Sequence, residues 1–325
     1  MKAVNVAVVG ATGLVGRQMI KSLEEQKIKV NHFYAFSSAR SAGSYVTFNG
    51  KKYKVEELNE QSFNRDIDYA IFSAGGDVSK EYAPIAAKHK VVVIDNSSAW
   101  RMDKSVPLVV PEINAHALKK HNYIIANPNC STIQSVLPLN ALKKYGIKRI
   151  VYSTYQAVSG SGNKGVSDLE AGLKGGKPTF YPKPIAHNVI PLIDVLLDNG
   201  YTKEEVKMIK ETQKILEDSK IKITSTCVRV PVYYGHSVAI NVELKKSFYL
   251  KQVIKEMKQQ PGLVVMEKDY PTPLEYAHQD LVYVGRIRVD ESLKYGLNMW
   301  VVGDNIRKGA ASNAVQILKV MAGGK

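Results

Sequence analysis

Six residues near the N-terminus, Val4-Asn-Val-Ala-Val-Val9, run directly into Gly10-Ala-Thr-Gly-Leu-Val-Gly16 and then into a helical pattern through Glu25. The β-branched run suits a strand buried on both faces of a parallel sheet. Gly10 permits a tight turn, Gly13 lets the backbone approach a pyrophosphate, and Gly16 allows close helix-to-strand packing, while the helix N-terminus faces the anion. Glycine spacing alone is weak evidence, and an ordinary tight turn is the alternative. Between this strand and this helix, the loop from Gly10 through Thr12, Gly13, Leu14 and Val15 to Gly16 predicts dinucleotide binding.

More strands follow with helices between them: Asn31–Phe36, Asp68–Ser73 and Val91–Asp95. Alternation of this kind predicts a doubly wound parallel sheet whose ligand lies along the C-terminal strand ends, which brings in Ser73 and Gly75. No acidic residue closes the second strand to bond a ribose 2′-hydroxyl. Ser38 and Arg40 stand there instead and suit a 2′-phosphate, so NADP is expected over NAD; a polar surface loop is the alternative. Arg101, on a later loop at the same edge, can grip a carboxylate or phosphate bidentately or form a surface ion pair.

At 325 residues the chain is long enough for two cored domains. The net charge of +15 is spread in pairs such as Lys51-Lys52 and Lys119-Lys120. That scatter favours a solvated surface over a nucleic-acid patch and is compatible with an anionic small-molecule substrate. No apolar run approaches the roughly 18 residues that span a bilayer, and the N-terminus enters a strand without a cleavable apolar segment, so a cytoplasmic protein without membrane partner is expected. Cys130 and Cys227 are far apart in dissimilar contexts, which argues against a disulfide or a zinc site, and no metal is expected.

Cys130 lies in Asn127-Pro-Asn-Cys-Ser-Thr132, between the apolar Tyr123–Ala126 and an amphipathic segment from Ser131. That reads as strand, turn and helix start, and a helix N-terminus favours the nucleophilic thiolate. A buried, inert thiol is equally compatible with position alone. The helix is expected to reach about Tyr145 with a kink at Pro138.

Beyond it, Lys148–Ala157 reads as a strand ended by the glycine-rich Ser159–Gly162, and Gly175–Pro191 looks irregular. Thr202 and Glu205 form a capping box. In the helix they open, Val206, Ile209 and Leu216 define the core stripe, which leaves Glu211 and Lys214 outside it as a default i,i+3 ion pair. Ile221–Tyr234 alternates as a strand with Cys227 and Arg229 on one face. A buried arginine there needs an anion. His236 sits at the entrance to Val238–Leu244, where a lone histidine is by default a surface residue. Two further strands, Leu281–Val289 and Leu297–Val302, complete a mixed or antiparallel sheet whose face suits a subunit interface. A last helix spans Ile306 to about Met321.

Taken together, Gly10–Gly16, Asn127–Thr132, Gln156-Ala-Val-Ser-Gly-Ser-Gly162, Glu211-Thr-Gln-Lys214 and Cys227–Ser237 resemble the aspartate-β-semialdehyde dehydrogenase family over essentially the whole chain. The resemblance implies an α/β fold with a Rossmann-type NADP-binding domain, residues 1–127 completed by 304–325, and an α+β catalytic and dimerisation domain, 128–303. It implies reversible, NADP-dependent reductive dephosphorylation of β-aspartyl phosphate to aspartate β-semialdehyde through a cysteine thioester, on the route to lysine, threonine, methionine and isoleucine.

By that resemblance Cys130 is the nucleophile, Gln156 orients the thioester and His236 is the acid/base. Glu211 and Arg229 hold the substrate amino and carboxylate groups; Arg101, Asn129 and Lys214 bind phosphate; Ser159, Gly160, Asn188 and Asn305 approach the nicotinamide. A homodimer or dimer of dimers is expected. Two rival readings are an N-acetyl-γ-glutamyl-phosphate reductase, whose acetamide offers Glu211 no ammonium, and a non-catalytic NADP-binding sensor.

Overall fold

Val4–Val9 forms β1 with every residue buried in the computed structural model, which describes residues 1–324. A β-branched run with no exposed side suits the centre of a parallel sheet covered on both faces. In chain order the strands that follow are β2 (Val30–Ser37), β3 (Tyr45–Phe48), β4 (Lys51–Lys54), β5 (Glu56–Glu57), β6 (Tyr69–Phe72), β7 (Val92–Asp95) and β8 (Ile124–Ala126). Six of them make one sheet in the order β5-β2-β1-β6-β7-β8, every pairing parallel, while β3 and β4 form a separate antiparallel hairpin. The order reverses direction between β1 and β6, the position at which doubly wound sheets bind ligands.

Helices α1 (Leu14–Glu25), α2 (Gly76–Lys88) and the short α3 (Pro111–Asn114) accompany this sheet. The C-terminal helix Ser312–Met321 packs with them: Asn313 Nδ2 donates to Val109 O at 3.0 Å and Asn127 Oδ1 at 2.7 Å, and Gln26 Nε2 donates to Ser312 O at 3.0 Å. The first compact unit therefore comprises Met1–Asn129 and the segment from Ala310 onward.

The second unit, Cys130–Gly309, is built on a mixed six-stranded sheet. Its strands are β9 (Ile147–Gln156), β10 (Lys222–Arg229), β11 (His236–Leu244), β12 (Leu263–Val265), β13 (Val282–Asp290) and β14 (Gly296–Gly303), in the order β10-β9-β11-β14-β13-β12. Pairs β9–β10 and β12–β13 are parallel and the rest antiparallel. The helices are α4 (Cys130–Asn140), α5 (Gly162–Leu173), α6 (Lys203–Ile215), α7 (Leu250–Gln259) and α8 (Pro273–Tyr276), which makes the C-terminal helix α9. Along β9 the buried residues alternate as Ile150, Tyr152, Thr154 and Gln156, and α4 and α6 pack on this region. Tyr152 Oη lies 3.1 Å from Thr212 Oγ1 and ties sheet to α6.

Several local expectations are corrected. The segment from Ser131 is not amphipathic, because Ser131 through Leu139 are all buried. Its polar side chains find partners inside the protein: Ser135 Oγ donates to Ser131 O at 2.7 Å and Gln134 Nε2 to His236 O at 3.0 Å. The helix stops at Asn140, two residues past Pro138, and Lys143–Tyr145 is a separate 3-10 turn. In the glycine-rich stretch, Val158–Ser161 is a 3-10 turn that leads into α5 at Gly162. Residues 304–309 lie with the second unit. Asp304 Oδ1 accepts from Ile306 N and Arg307 N, both at 2.8 Å, and Arg307 pairs with Asp280 at 2.9 Å. The expected single last helix is accordingly a π-turn at Arg307–Ala311 followed by α9.

Candidate active site

In the first unit the three glycines divide their work. Gly10 has φ +81°, and a Cβ there would stand 2.4 Å from Ser73 O, so the crossing of the β1 and β6 ends requires glycine. At Gly16 a Cβ would lie 2.1 Å from Gly10 O, which is the close helix-to-strand contact the sequence predicts. Gly13 caps α1 without a side chain of its own to offer. A cavity of about 490 Å³ opens here, lined by Gly10, Thr12, Gly13, Ser38, Arg40 and Ser73 among others. Leu14, Val15, Gly16 and Gly75 do not line it. Glu57 and Glu81 do, two acidic groups the sequence reading missed, since they come from β5 and α2 rather than from the end of β2.

Arg101 is 7% exposed, and its fork is anchored rather than loose: Nε donates to Asn127 O and Nη2 to Asn96 O, each at 2.9 Å. Backbone carbonyls thus fix the plane of the guanidinium. Asn129 is buried at the end of this unit.

In the second unit Cys130 is the first residue of α4 and is partly exposed, whereas Cys227 is fully buried. Burial pushes the Cys227 thiol up to about 12, so it is a packed, inert thiol. Gln134, one turn along α4 from Cys130, holds the backbone carbonyl of His236.

His236 is not a surface residue: it opens β11 fully buried. Its Nδ1 accepts from Ala157 N at 3.0 Å, and the Ala157 carbonyl accepts from Arg229 Nη1 at 2.7 Å, so the backbone of one residue seats both side chains. Gly160 faces the same pair. A Cβ there would meet Arg229 Nη1 at 2.8 Å and His236 Cε1 at 3.2 Å. Among the described residues, Arg229 Nε and His236 Nε2 are buried donors or acceptors without a hydrogen-bond partner. Such groups are costly unless a ligand satisfies them. Burial and the nearby Arg229 charge hold the His236 pKa well below the usual histidine range.

Glu211 corrects the expectation of a solvated ion pair. It is 1% exposed, on a buried face of α6 that runs through Glu204, Met208, Glu211, Thr212 and Ile215, while Val206 and Ile209 are only half-buried. Lys214 is half-buried. Gln156 Nε2 donates to Glu204 Oε1 at 3.2 Å and to Thr154 Oγ1 at 3.3 Å, and Lys207 bridges Glu204 and Asp194. Glu204, which steadies Gln156, was not singled out from the sequence. The capping box of Thr202 and Glu205 carried the only local signal of this region.

Asn305 and Asn188, both expected near the nicotinamide, have hydrogen-bond partners within the second unit. Asn305 Oδ1 accepts from Gly235 N at 3.0 Å and its Nδ2 donates to Ser159 Oγ at 3.0 Å, which clamps the approach to β11 against the turn after β9. Asn188 is exposed and bonds its own loop, through Pro184 O at 2.9 Å and Val189 N at 2.9 Å. Among the described residues there is no cluster of metal-ligating side chains.

Residues 5–121 match the family described as semialdehyde dehydrogenase, NAD binding domain, and residues 137–308 match the semialdehyde dehydrogenase dimerisation domain. An aspartate-semialdehyde dehydrogenase of Aquifex aeolicus is 51% identical over 330 residues, covering 97% of each chain. The chain belongs to the aspartate-semialdehyde dehydrogenase family. It is thus an oxidoreductase of amino-acid biosynthesis, with a dinucleotide-binding domain and the family's dimerisation domain. The crystal structure of aspartate semialdehyde dehydrogenase II from Vibrio cholerae superposes with a TM-score of 0.95 at 45% identity, covering 98% of each chain. A second crystal structure of that enzyme, complexed with ASA, also gives 0.95 at 44% identity, with 99% and 98% covered. Among the described residues no helix is long and apolar enough to cross a membrane.

Proposed function

We propose that this member of the family interconverts β-aspartyl phosphate and aspartate β-semialdehyde with NADP as the hydride carrier, in the cytoplasm, as a homodimer or a dimer of dimers. Cys130 is the proposed nucleophile: its thiolate attacks the acyl phosphate, phosphate leaves, and the thioester accepts hydride. Sulfur overlaps poorly with the carbonyl, so the carbon stays electrophilic. Arg229 and Glu211 are assigned to the substrate carboxylate and ammonium, and Gln156 to the orientation of the thioester. Arg101, Asn129 and Lys214 keep the phosphate roles that the resemblance implies.

The observation that carries this reading is the pair of buried groups, Arg229 Nε and His236 Nε2, flanking Gly160 in the unit that bears Cys130. Both call for oxygen atoms that the protein does not supply, and a substrate with a carboxylate and a reacting carbonyl has them. Preference for NADP rests on Ser38 and Arg40 in the loop-side cavity. Glu57 and Glu81 line the same cavity.

Turnover of aspartate semialdehyde with phosphate, measured with NADP and NAD in parallel, tests substrate and cofactor together. Activity with NADP that vanishes in Cys130→Ala is the expected outcome. Equal turnover with N-acetylglutamate semialdehyde, or substantial activity in Cys130→Ala, would remove the reading.

A further inference from the structure

We propose that a second cavity, on the edge of the second unit's sheet, is a binding site for a free α-amino acid with an apolar side chain. Its volume is about 410 Å³, and it shares no lining residue with the dinucleotide cavity or with the groups around Cys130 and His236. The fold opens it where β12 leaves β13. Their pairing covers only Val282–Val284, and Met266 N donates to Val284 O at 2.8 Å. The chain then crosses onto Gly285, where a Cβ would stand 2.8 Å from Pro271 Cδ and 2.9 Å from Asp269 O. Along β13 the register with β14 shifts between Gly285 and Arg288, and Arg286 takes φ +54°. A residue with a Cβ is strained in that left-handed conformation. The bulge thereby turns three consecutive residues, Arg286, Ile287 and Arg288, toward one cavity rather than onto alternating faces.

The charges in the lining set the ligand class. Lys268, Arg286 and Arg288 face the cavity, and among the described residues none of the three forms an ion pair. Arg288 Nη1 donates to Arg286 O at 2.9 Å, which fixes its fork across the bulge. Asp290, on which Arg288 acts electrostatically, gives its oxygens to Asn241 and Ser292. Of the two carboxylates in the lining, Glu267 pairs with Lys258. Asp269 Oδ1 accepts from Tyr270 N at 2.8 Å, and its other oxygen has no hydrogen-bond partner among the described residues. The cavity thus sets unpaired cations beside one uncommitted carboxylate oxygen.

Guanidinium groups take a carboxylate bidentately, and a concave wall of one charge raises the local concentration of the opposite one. A plain organic anion would use the arginines and leave the Asp269 carboxylate facing its own charge. An α-amino acid satisfies both signs, with its carboxylate on Arg286 and Arg288 and its ammonium on Asp269. The rest of the ligand meets an apolar wall: Ile254 of α7, Met266 and Ile287 are half-buried in the lining, and Tyr270 adds a ring. A cavity of this volume, mostly apolar with a few convergent charges, is the form that small-molecule sites take. No thiol or imidazole stands in the lining, so the site holds its ligand without transforming it.

The test is calorimetric titration of the whole protein with L-methionine and with L-isoleucine, read in parallel from the methyl spectrum of protein labelled at methionine. The Met266 signal, one of eight, is assigned by its loss in Met266→Leu. Saturable binding that shifts this signal is expected. N-acetyl-L-methionine lacks the ammonium and L-methioninamide lacks the carboxylate, and each should bind about tenfold or more weakly than L-methionine. Arg286→Gln and Asp269→Asn should weaken L-methionine by a similar factor, with Arg288→Gln in place of Arg286→Gln if that variant does not fold. No saturable binding overturns the proposal. So does binding that leaves the Met266 signal unmoved or survives these substitutions, since it then belongs to another site. Equal affinity for N-acetyl-L-methionine also overturns it, because the cavity would then select an anion and not an amino acid. The readout is binding alone, so it stands apart from the outcome of the turnover assay.

Discussion

Gly160 is the residue where geometry and chemistry meet most closely. With hydrogen in place of a methyl group, it lets Arg229 Nη1 and the His236 ring both approach the backbone where a Cβ would stand. In Gly160→Ala the new Cβ would sit 2.8 Å from Arg229 Nη1, and that atom is already bonded to Ala157 O. The guanidinium must shift, and the imidazole with it. Misplacement of that size costs on the order of 100-fold in reaction rate. Steady-state kcat/KM for the semialdehyde should fall by about that factor; a change within twofold would mean that the pair does not contact substrate. Sequence placed Arg229 on a buried strand face beside Cys227 and identified its need for an anion. It could not set Gly160 against Arg229 and His236, because a glycine in a row of small residues carries no sign of what stands opposite it.

At the scale of the element, α6 shows how a polar helix face becomes an interior. Thr202 Oγ1 accepts from Glu205 N at 3.2 Å, and Glu205 Oε2 accepts from Thr202 N at 2.7 Å. Glu205 Oε1 also accepts from Cys227 N at 3.0 Å, so the cap joins the helix to β10. Thr202→Ala should destabilise the protein by about 1 kcal/mol, with a lower denaturation midpoint in urea. An unchanged midpoint would show that the cap is redundant. This cap was legible because both partners lie three residues apart. The buried face of α6 was not, since hydrophobic periodicity assigns carboxylates to solvent. Glu204 and Glu211 are buried by residues remote in sequence. The same limit applies to α4, where hydroxyl and amide side chains looked like a solvent face but bond inside the protein.

For the whole molecule, a histidine kept neutral by its surroundings links folding to pH. The folded His236 stays unprotonated, whereas the unfolded chain takes up a proton as pH falls through the ordinary histidine value of 6.5. Below that value the unfolded state binds the extra proton, so this contribution to stability is present above it and lost as pH falls. The slope reaches about 1.4 kcal/mol per pH unit for one such group. Unfolding free energies measured from pH 7 to 5 should fall more steeply for wild type than for His236→Gln. Parallel curves would mean that the folded imidazole charges after all.

Local order in the chain determined the parallel sheet around β1, the glycine loop, the capping box, the strand carrying Arg229 and the thiol at a helix start. Each depends on residues within one turn or one strand of each other, where side-chain period and backbone conformation are set by neighbours. Tertiary structure alone decided the seating of His236, the burial of Glu211 and the clamp made by Asn305. The physical reason is the same for all three. A lone pair on Nδ1 is occupied because Ala157, 79 positions away in sequence, turns its N–H toward it, and no pattern within either segment encodes that meeting.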